Sequence, residues 1–126
     1  MSPDSPTVLV VDDDIDLCHL LSAMLVGKDL FIHTAGTLRE AEEKLQQIQP
    51  SIIFLDNNLP DGQGIHFIRR FRSQNSETKI VMMTADPTEE MRQKALEDGA
   101  IFFLDKPFSY MAVTELVDET LAQKSK

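Results

Sequence analysis

Directly after each of four short apolar runs, the sequence places residues that can hold and transfer charge. Asp12, Asp13 and Asp14 follow Val8 to Val11, and Asp56 follows Ile52 to Leu55. Thr84 follows Ile80 to Met83, and Asp105 with Lys106 follows Ile101 to Leu104. Continuous apolar runs of this length read as strands covered on both faces. In an open parallel sheet, ligands bind beyond the carboxyl ends of the strands, so these residues would meet at one rim. A single Asp after a strand usually caps a turn or helix, and Asp14 reads that way. Converging acids ask for more. Asp12, Asp13 and Asp56 would stand close together, where like charges oppose joint ionisation. A hard divalent cation relieves this, and Mg²⁺ typically keeps waters while taking one or two carboxylates. Lys106 adds a positive charge that a bound phosphoryl group can use. An Asp beside a cation, an ammonium and a hydroxyl suits phosphoryl transfer, in which the protein positions the reactants and neutralises charge on the equatorial oxygens. The carboxylate itself can be the nucleophile and give an acyl phosphate.

The elements that must position these residues are legible in the apolar spacing. Besides the four runs, Leu30 to Ala35 mixes Phe31 and Ile32 with His33 and Thr34, which suits an edge strand. Leu17, Leu21, Met24 and Leu25 form a helical stripe that Gly27 stops. Thr37 with Glu40 reads as a capping box for a helix carrying Ala41, Leu45 and Ile48 inward. Ile65, Ile68 and Phe71 line a third helix. Asp86 with Glu89 reads as a second capping box, with Pro87 at the first helical position of a helix running through Met91, Ala95 and Leu96 to Gly99. Ser109 caps a last helix holding Val113, Leu116, Val117 and Leu121. Strand starts near residues 7, 30, 52, 79 and 101 are spaced by about one βα unit each. The expectation is a single α/β domain over residues 1–126, with an ordered core at about 7–122 and short polar tails. Its five-stranded parallel sheet would carry helices on both faces.

Length and composition bound the rest. The chain of 126 residues has 12 Lys+Arg against 21 Asp+Glu, a formal net charge of −9. That balance speaks against direct contact with nucleic acid or an anionic membrane. No apolar run approaches the roughly 20 residues of a membrane span, and Met1 to Pro6 has neither the basic nor the apolar region of a signal peptide. A lone cysteine, Cys18, fits a reducing compartment and a structural thiol, so a cytoplasmic domain is expected. Arg69, Arg70 and Arg72 read as a solvated helix face. His19, His33 and His66 show no metal-ligand spacing, and the methionines read as core filling.

Taken together, Val10-Val11-Asp12-Asp13-Asp14, the stretch Asp56-Asn57-Asn58-Leu59-Pro60-Asp61-Gly62-Gln63-Gly64, Met83-Thr84-Ala85 and Asp105-Lys106-Pro107-Phe108 resemble the receiver domain of bacterial two-component response regulators. The resemblance spans about Thr7 to Ala122 and implies the flavodoxin-like strand order 2-1-3-4-5. It implies that Asp56 is the phosphoacceptor, taking its phosphoryl group from a phosphohistidine on a histidine kinase or histidine phosphotransfer protein. Mg²⁺ would be held by Asp13, Asp12, Asp56 and the backbone carbonyl of Asn58. Lys106 would pair with the phosphate, and Thr84 Oγ with the Ala85 N–H would hydrogen-bond its oxygens. A cis peptide before Pro107 would aim Lys106 into the site. Phosphorylation would draw Thr84 toward the phosphate and let Phe103 turn into the vacated space. That would alter the surface of the fourth helix, fifth strand and fifth helix, which faces an output domain, effector or second copy. Such a domain catalyses only its own phosphorylation and dephosphorylation and is not an enzyme in the ordinary sense. Asn57 departs from the family, which usually has an apolar residue there. Asn58 and Asp86 fall at positions that tune the lifetime of the acyl phosphate.

Two other readings use the same residues. One is a phosphorylation-independent receiver-like module that acts by protein interaction alone. The other is an aspartyl-nucleophile phosphatase of the haloacid-dehalogenase type. Such a phosphatase carries Asp-x-Asp-Gly-Thr after the first strand, where this chain has Asp12-Asp13-Asp14-Ile15-Asp16.

Overall fold

A computed structural model describes residues 4–124. Five strands alternate with five helices: β1 (Thr7–Val11), α1 (Ile15–Met24), β2 (Phe31–Ala35), α2 (Leu38–Gln47), β3 (Ile52–Asp56), α3 (Ile68–Gln74), β4 (Lys79–Thr84), α4 (Glu89–Asp98), β5 (Phe102–Asp105) and α5 (Tyr110–Lys124). Between β3 and α3 the chain makes a small hairpin, Asn58–Leu59 with Gly62–Gln63, and a 3-10 turn, Gly64–Phe67. The main sheet is parallel throughout, in the order β2-β1-β3-β4-β5. That is the expected flavodoxin-like 2-1-3-4-5 arrangement, and it puts β1, β3 and β4 in the middle.

Strand periodicity divides the core in two. On one face Leu9, Val11, Ile53, Leu55, Ile80 and Met82 meet Leu38, Ala41 and Leu45 of α2, Ile68 and Phe71 of α3, and Ala95 of α4. On the other, Val8, Val10, Ile52, Phe54, Val81 and Met83 meet Cys18 and Leu21 of α1 and Val113, Leu116 and Val117 of α5. Successive residues of a strand point to opposite faces, so an unbroken apolar run requires helices on both sides. No helix among the described residues is long and apolar enough to cross a membrane.

Several local expectations are corrected. Residues 101–104 were expected to be covered on both faces, but β5 is the outer edge of the sheet, and Phe102 at its start is 44% exposed. Asp86 does not cap α4. Its N–H donates to Thr84 Oγ1 at 3.2 Å, which keeps the chain in a turn, and Pro87 precedes the helix. Thr88, in an extended conformation, is the cap and accepts the Met91 N–H at 3.0 Å. Leu96, expected inward, is exposed on α4. Thr37 caps α2 as expected, but the Glu40 carboxylate takes the Gly36 N–H rather than that of Thr37. Ile48 lies in an extended conformation just past the end of α2. Asp14 and Ser109 cap α1 and α5 as expected.

The arginines of α3 lie on a solvated face, as expected for Arg69 and Arg70, and also make contacts within the molecule. Arg70 pairs with Glu42 of α2 at 2.8 Å, and Arg72 donates to the Gly99 carbonyl at 3.0 Å. Arg69 and Lys94 both donate to Asp98, at 2.9 and 2.8 Å. Asp98 ends α4, where the helix dipole disfavours an acid, and the two cations reverse that penalty. Lys94, with Arg69, holds its carboxyl below the usual range. A carboxyl group with a depressed folded pKa contributes stability above its unfolded value, near 3.9, and loses it as pH falls through the folded value. Asp98→Asn is therefore expected to lower stability at pH 7 by about 1 kcal/mol, because the Asp98 side chain is nearly buried but both of its cation partners are exposed. Urea unfolding of both proteins should show the gap close as pH drops toward 3.

Candidate functional site

Each acid reaches the rim because a strand ends beneath it. Asp12 follows β1, and its N–H donates to the Ala35 carbonyl at 2.9 Å, which extends the β1–β2 ladder by one bond. Only 3% exposed, it spends one carboxylate oxygen on the Asp14 N–H at 2.9 Å and the other on the Lys106 ammonium at 2.7 Å. Asp56 is the last residue of β3, 5% exposed, and accepts from the same Lys106 ammonium at 3.0 Å. Asp13 is exposed beside them. The three carboxylates each offer an oxygen within 4.8 Å of the others. Over Asp12 and Asp13 opens a cavity of about 510 Å³, walled also by Cys18, Gly36, Thr37 and Glu40.

Lys106 is delivered from the far side of the sheet. Its N–H donates to the Thr84 carbonyl at 2.7 Å, which continues the β4–β5 pairing one step past Asp105, and its peptide bond to Pro107 is cis. Burial works to lower the lysine pKa, but hydrogen bonds and charge from Asp12 and Asp56 outweigh it and raise the net value. Asp56 moves the opposite way from an ordinary paired carboxylate. Burial pushes its pKa up and the Asp12 charge adds to the rise, while Lys106 offsets only part. One ammonium thus serves Asp12 and Asp56, with Asp13 beside them. Hard oxygen donors in this number, partly buried and short of positive charge, fit a Mg²⁺ ion that would be held by Asp12, Asp13 and Asp56.

The remaining expected residues lie around this cluster. Thr84 is buried at the end of β4 with its hydroxyl accepting the Asp86 N–H, and Ala85 is exposed next to it. Asn58 is exposed in the hairpin, paired with Gln63. Phe103 is turned inward, 6% exposed, and the Arg92 guanidinium of α4 lies 4.8 Å from its ring centroid. Arg92 also reaches Asp105 at 3.3 Å, so α4 and β5 are joined over the ring. Cys18 is buried, and its thiol, raised in pKa by burial and by Asp12, points to the Asp12 carbonyl at 3.5 Å.

Sequence reasoning missed what holds the loop after Asp56. Asp61 reaches across to α2, where its carboxylate accepts the Leu38 and Arg39 N–H groups at 2.9 and 3.0 Å. Those bonds hold its pKa down, the bond from Leu38 foremost. Gly64 passes so close to β3 that a Cβ there would stand 2.2 Å from the Asp56 carbonyl oxygen. Only glycine permits that approach.

A family model described as "Response regulator receiver domain" matches residues 8–118. The chain belongs to the response regulator receiver domain family. This receiver domain is 34% identical over 124 residues to the transcriptional regulatory protein CitB of Klebsiella pneumoniae, covering 97% of this chain and 53% of CitB. Among solved structures it resembles a two-component response regulator from Clostridium difficile, with a TM-score of 0.92, 27% identity, and coverage of 97% of this chain and 100% of that one. It also resembles the beryllofluoride-activated NtrC4 receiver domain dimer, with a TM-score of 0.88, 33% identity, and coverage of 93% and 97% of the two chains. The chain spans about half or less of the curated relatives it matches.

The raised Asp56 pKa carries a stability consequence. An acid whose folded pKa exceeds its unfolded value opposes folding once pH rises above that window. Without divalent ions, Asp56→Asn should therefore unfold at a higher urea concentration than the native domain at pH 7. The difference should shrink as pH falls through the raised folded value and be gone below about 4, the unfolded value.

Proposed function

We propose that this receiver domain is a phosphoacceptor that relays a histidine kinase signal. Asp56 receives a phosphoryl group from the phosphohistidine of a histidine kinase or a histidine phosphotransfer protein. The observation that carries this is the meeting of Asp56 with Asp12, Asp13 and Lys106 at the carboxyl ends of β1, β3 and β5. A Mg²⁺ ion held by Asp12, Asp13, Asp56 and the Asn58 carbonyl would supply positive charge against the phosphoryl oxygens and the crowded carboxylates. In the transfer, an Asp56 carboxylate oxygen forms the bond to phosphorus while the phosphorus–nitrogen bond breaks. The imidazole leaves with the electron pair and takes up a proton. Lys106 exchanges its hold on Asp56 for a phosphoryl oxygen, and Thr84 Oγ and the Ala85 N–H donate to others. Hydrolysis is the reverse demand: water attacks phosphorus and Asp56 leaves as a free carboxylate. The domain turns over no separate substrate.

The output runs through Thr84. Its hydroxyl accepts the Asp86 N–H and keeps its own hydrogen to donate, so a move of Thr84 toward the phosphoryl group would carry with it the turn that leads into α4. Phe103, packed under Arg92, registers that shift on the surface of α4, β5 and α5. The partner on this surface is an effector domain or a second copy of the chain, and the setting is the cytoplasm. The NtrC4 relative, described as a beryllofluoride-activated dimer, supports this reading.

Incubation with radiolabelled acetyl phosphate or a labelled cognate kinase tests the proposal. Mg²⁺-dependent, hydroxylamine-labile labelling is expected. EDTA and Asp56→Asn should each abolish it, and Lys106→Met should slow it roughly 100-fold, the scale of a lost charge-stabilising donor. Labelling that survives Asp56→Asn would remove the acceptor from that residue. A complete lack of labelling would favour an interaction module that works without phosphorylation.

A further inference from the structure

The loop that leaves the acceptor aspartate is fastened by a side chain that the chemistry above does not use. Asn57, 2% exposed, lies between Asp56 and Asn58. Its N–H donates to the Met83 carbonyl at 3.1 Å, and its own carbonyl accepts the Gly64 N–H at 2.9 Å. Its side-chain Oδ1 accepts the Ile65 N–H at 3.1 Å. Both ends of the hairpin at 58–63 are thus tied to one residue, and that residue is tied to β4. Gln63, at the start of the 3-10 turn, makes no side-chain capping bond, so the Asn57 carboxamide serves that turn from the far end of the loop. An apolar side chain would fill this buried position but leave the Ile65 N–H without its partner, a penalty that a buried donor does not escape.

We infer that Asn57 is a positioning residue that sets the ion preference of the acidic site, because its hydrogen bonds fasten both ends of the loop that carries the proposed Asn58 carbonyl ligand. The inference rests on the proposed ligand set of Asp12, Asp13, Asp56 and the Asn58 carbonyl. Mg²⁺ demands near-octahedral ligands at about 2.0–2.1 Å, whereas Ca²⁺ accepts more ligands at about 2.3–2.6 Å in a flexible arrangement. A fastened carbonyl favours the smaller, stricter ion. A loosened one gives up more affinity for Mg²⁺ than for Ca²⁺. Partners that orient ligands from behind typically change metal affinity about 10–100-fold when removed.

The test is calorimetric titration of the whole chain with MgCl₂ and, separately, CaCl₂. It compares the native protein, Asn57→Leu and Asn57→Asp, with urea unfolding of each metal-free protein alongside. In Asn57→Leu the ratio of the Ca²⁺ Kd to the Mg²⁺ Kd is expected to fall roughly tenfold. Asn57→Asp keeps an acceptor oxygen in place, so it should bind both ions more tightly and hold that ratio. A general loss of stability would not move the ratio selectively. If Asn57→Leu does not fold, Asn57→Ala is read on the same two constants. An unchanged ratio in the acceptor-free variant overturns the inference while leaving the ion site intact. If the native chain binds neither ion, the proposed ligand set falls and the inference with it.

Discussion

Three carboxylates crowd the rim of this sheet around one ammonium, which pairs with two of them, and much of the molecule is arranged around that imbalance. Asp12 and Asp56 are nearly buried, yet Lys106 must satisfy both, at 2.7 and 3.0 Å, while Asp13 stands beside them. Like charges at such separations resist joint ionisation, and burial makes the resistance worse. Burial above all, with the Asp12 charge added, raises the pKa of Asp56. A site in this condition is short of positive charge. The proposed divalent ion and phosphoryl chemistry would each supply it or use it.

The sheet makes the imbalance tolerable by rigidity. Asp12 extends the β1–β2 ladder, Asp56 ends β3, and Lys106 extends β4–β5, so three backbones hold the points from which the charged groups project. Beneath them Val10, Phe54, Leu55, Val81 and Met82 are fully buried and anchor those ends. The loop after β3 is equally constrained. Gly64 presses against the Asp56 carbonyl, Asn57 closes the loop, and Asp61 holds it to α2. The one exposed acid of the three, Asp13, lies where the 510 Å³ cavity opens.

Much of this was legible in the residues themselves. The alternation Val8–Val10 against Leu9–Val11 assigns each residue to a face, and the residues just past each run name the rim. Asp14, Thr37 and Ser109 announced their helices because capping is a local interaction. What escaped depended on contacts distant in sequence or on competition between neighbours. Phe102 looks buried from its apolar run alone, although the implied strand order already makes β5 an edge. Asp86 and Thr88 are both good caps, and the tie from the Asp86 N–H to Thr84 decides between them. No local rule pairs Asn57 with Ile65, Asp61 with the start of α2, or Arg92 with the Phe103 ring.

The central claim is that the charge-starved rim, once supplied with a phosphoryl-like group, changes Thr84 and the surface beyond it. Amide chemical shifts of the labelled domain, recorded before and after adding beryllofluoride with Mg²⁺, test this most directly. Large shifts are expected at Asp12, Asp13 and Asp56 together with Thr84, Ala85 and residues of α4 and β5 around Arg92 and Phe103. Shifts confined to the rim, with α4 and β5 unmoved, would contradict it.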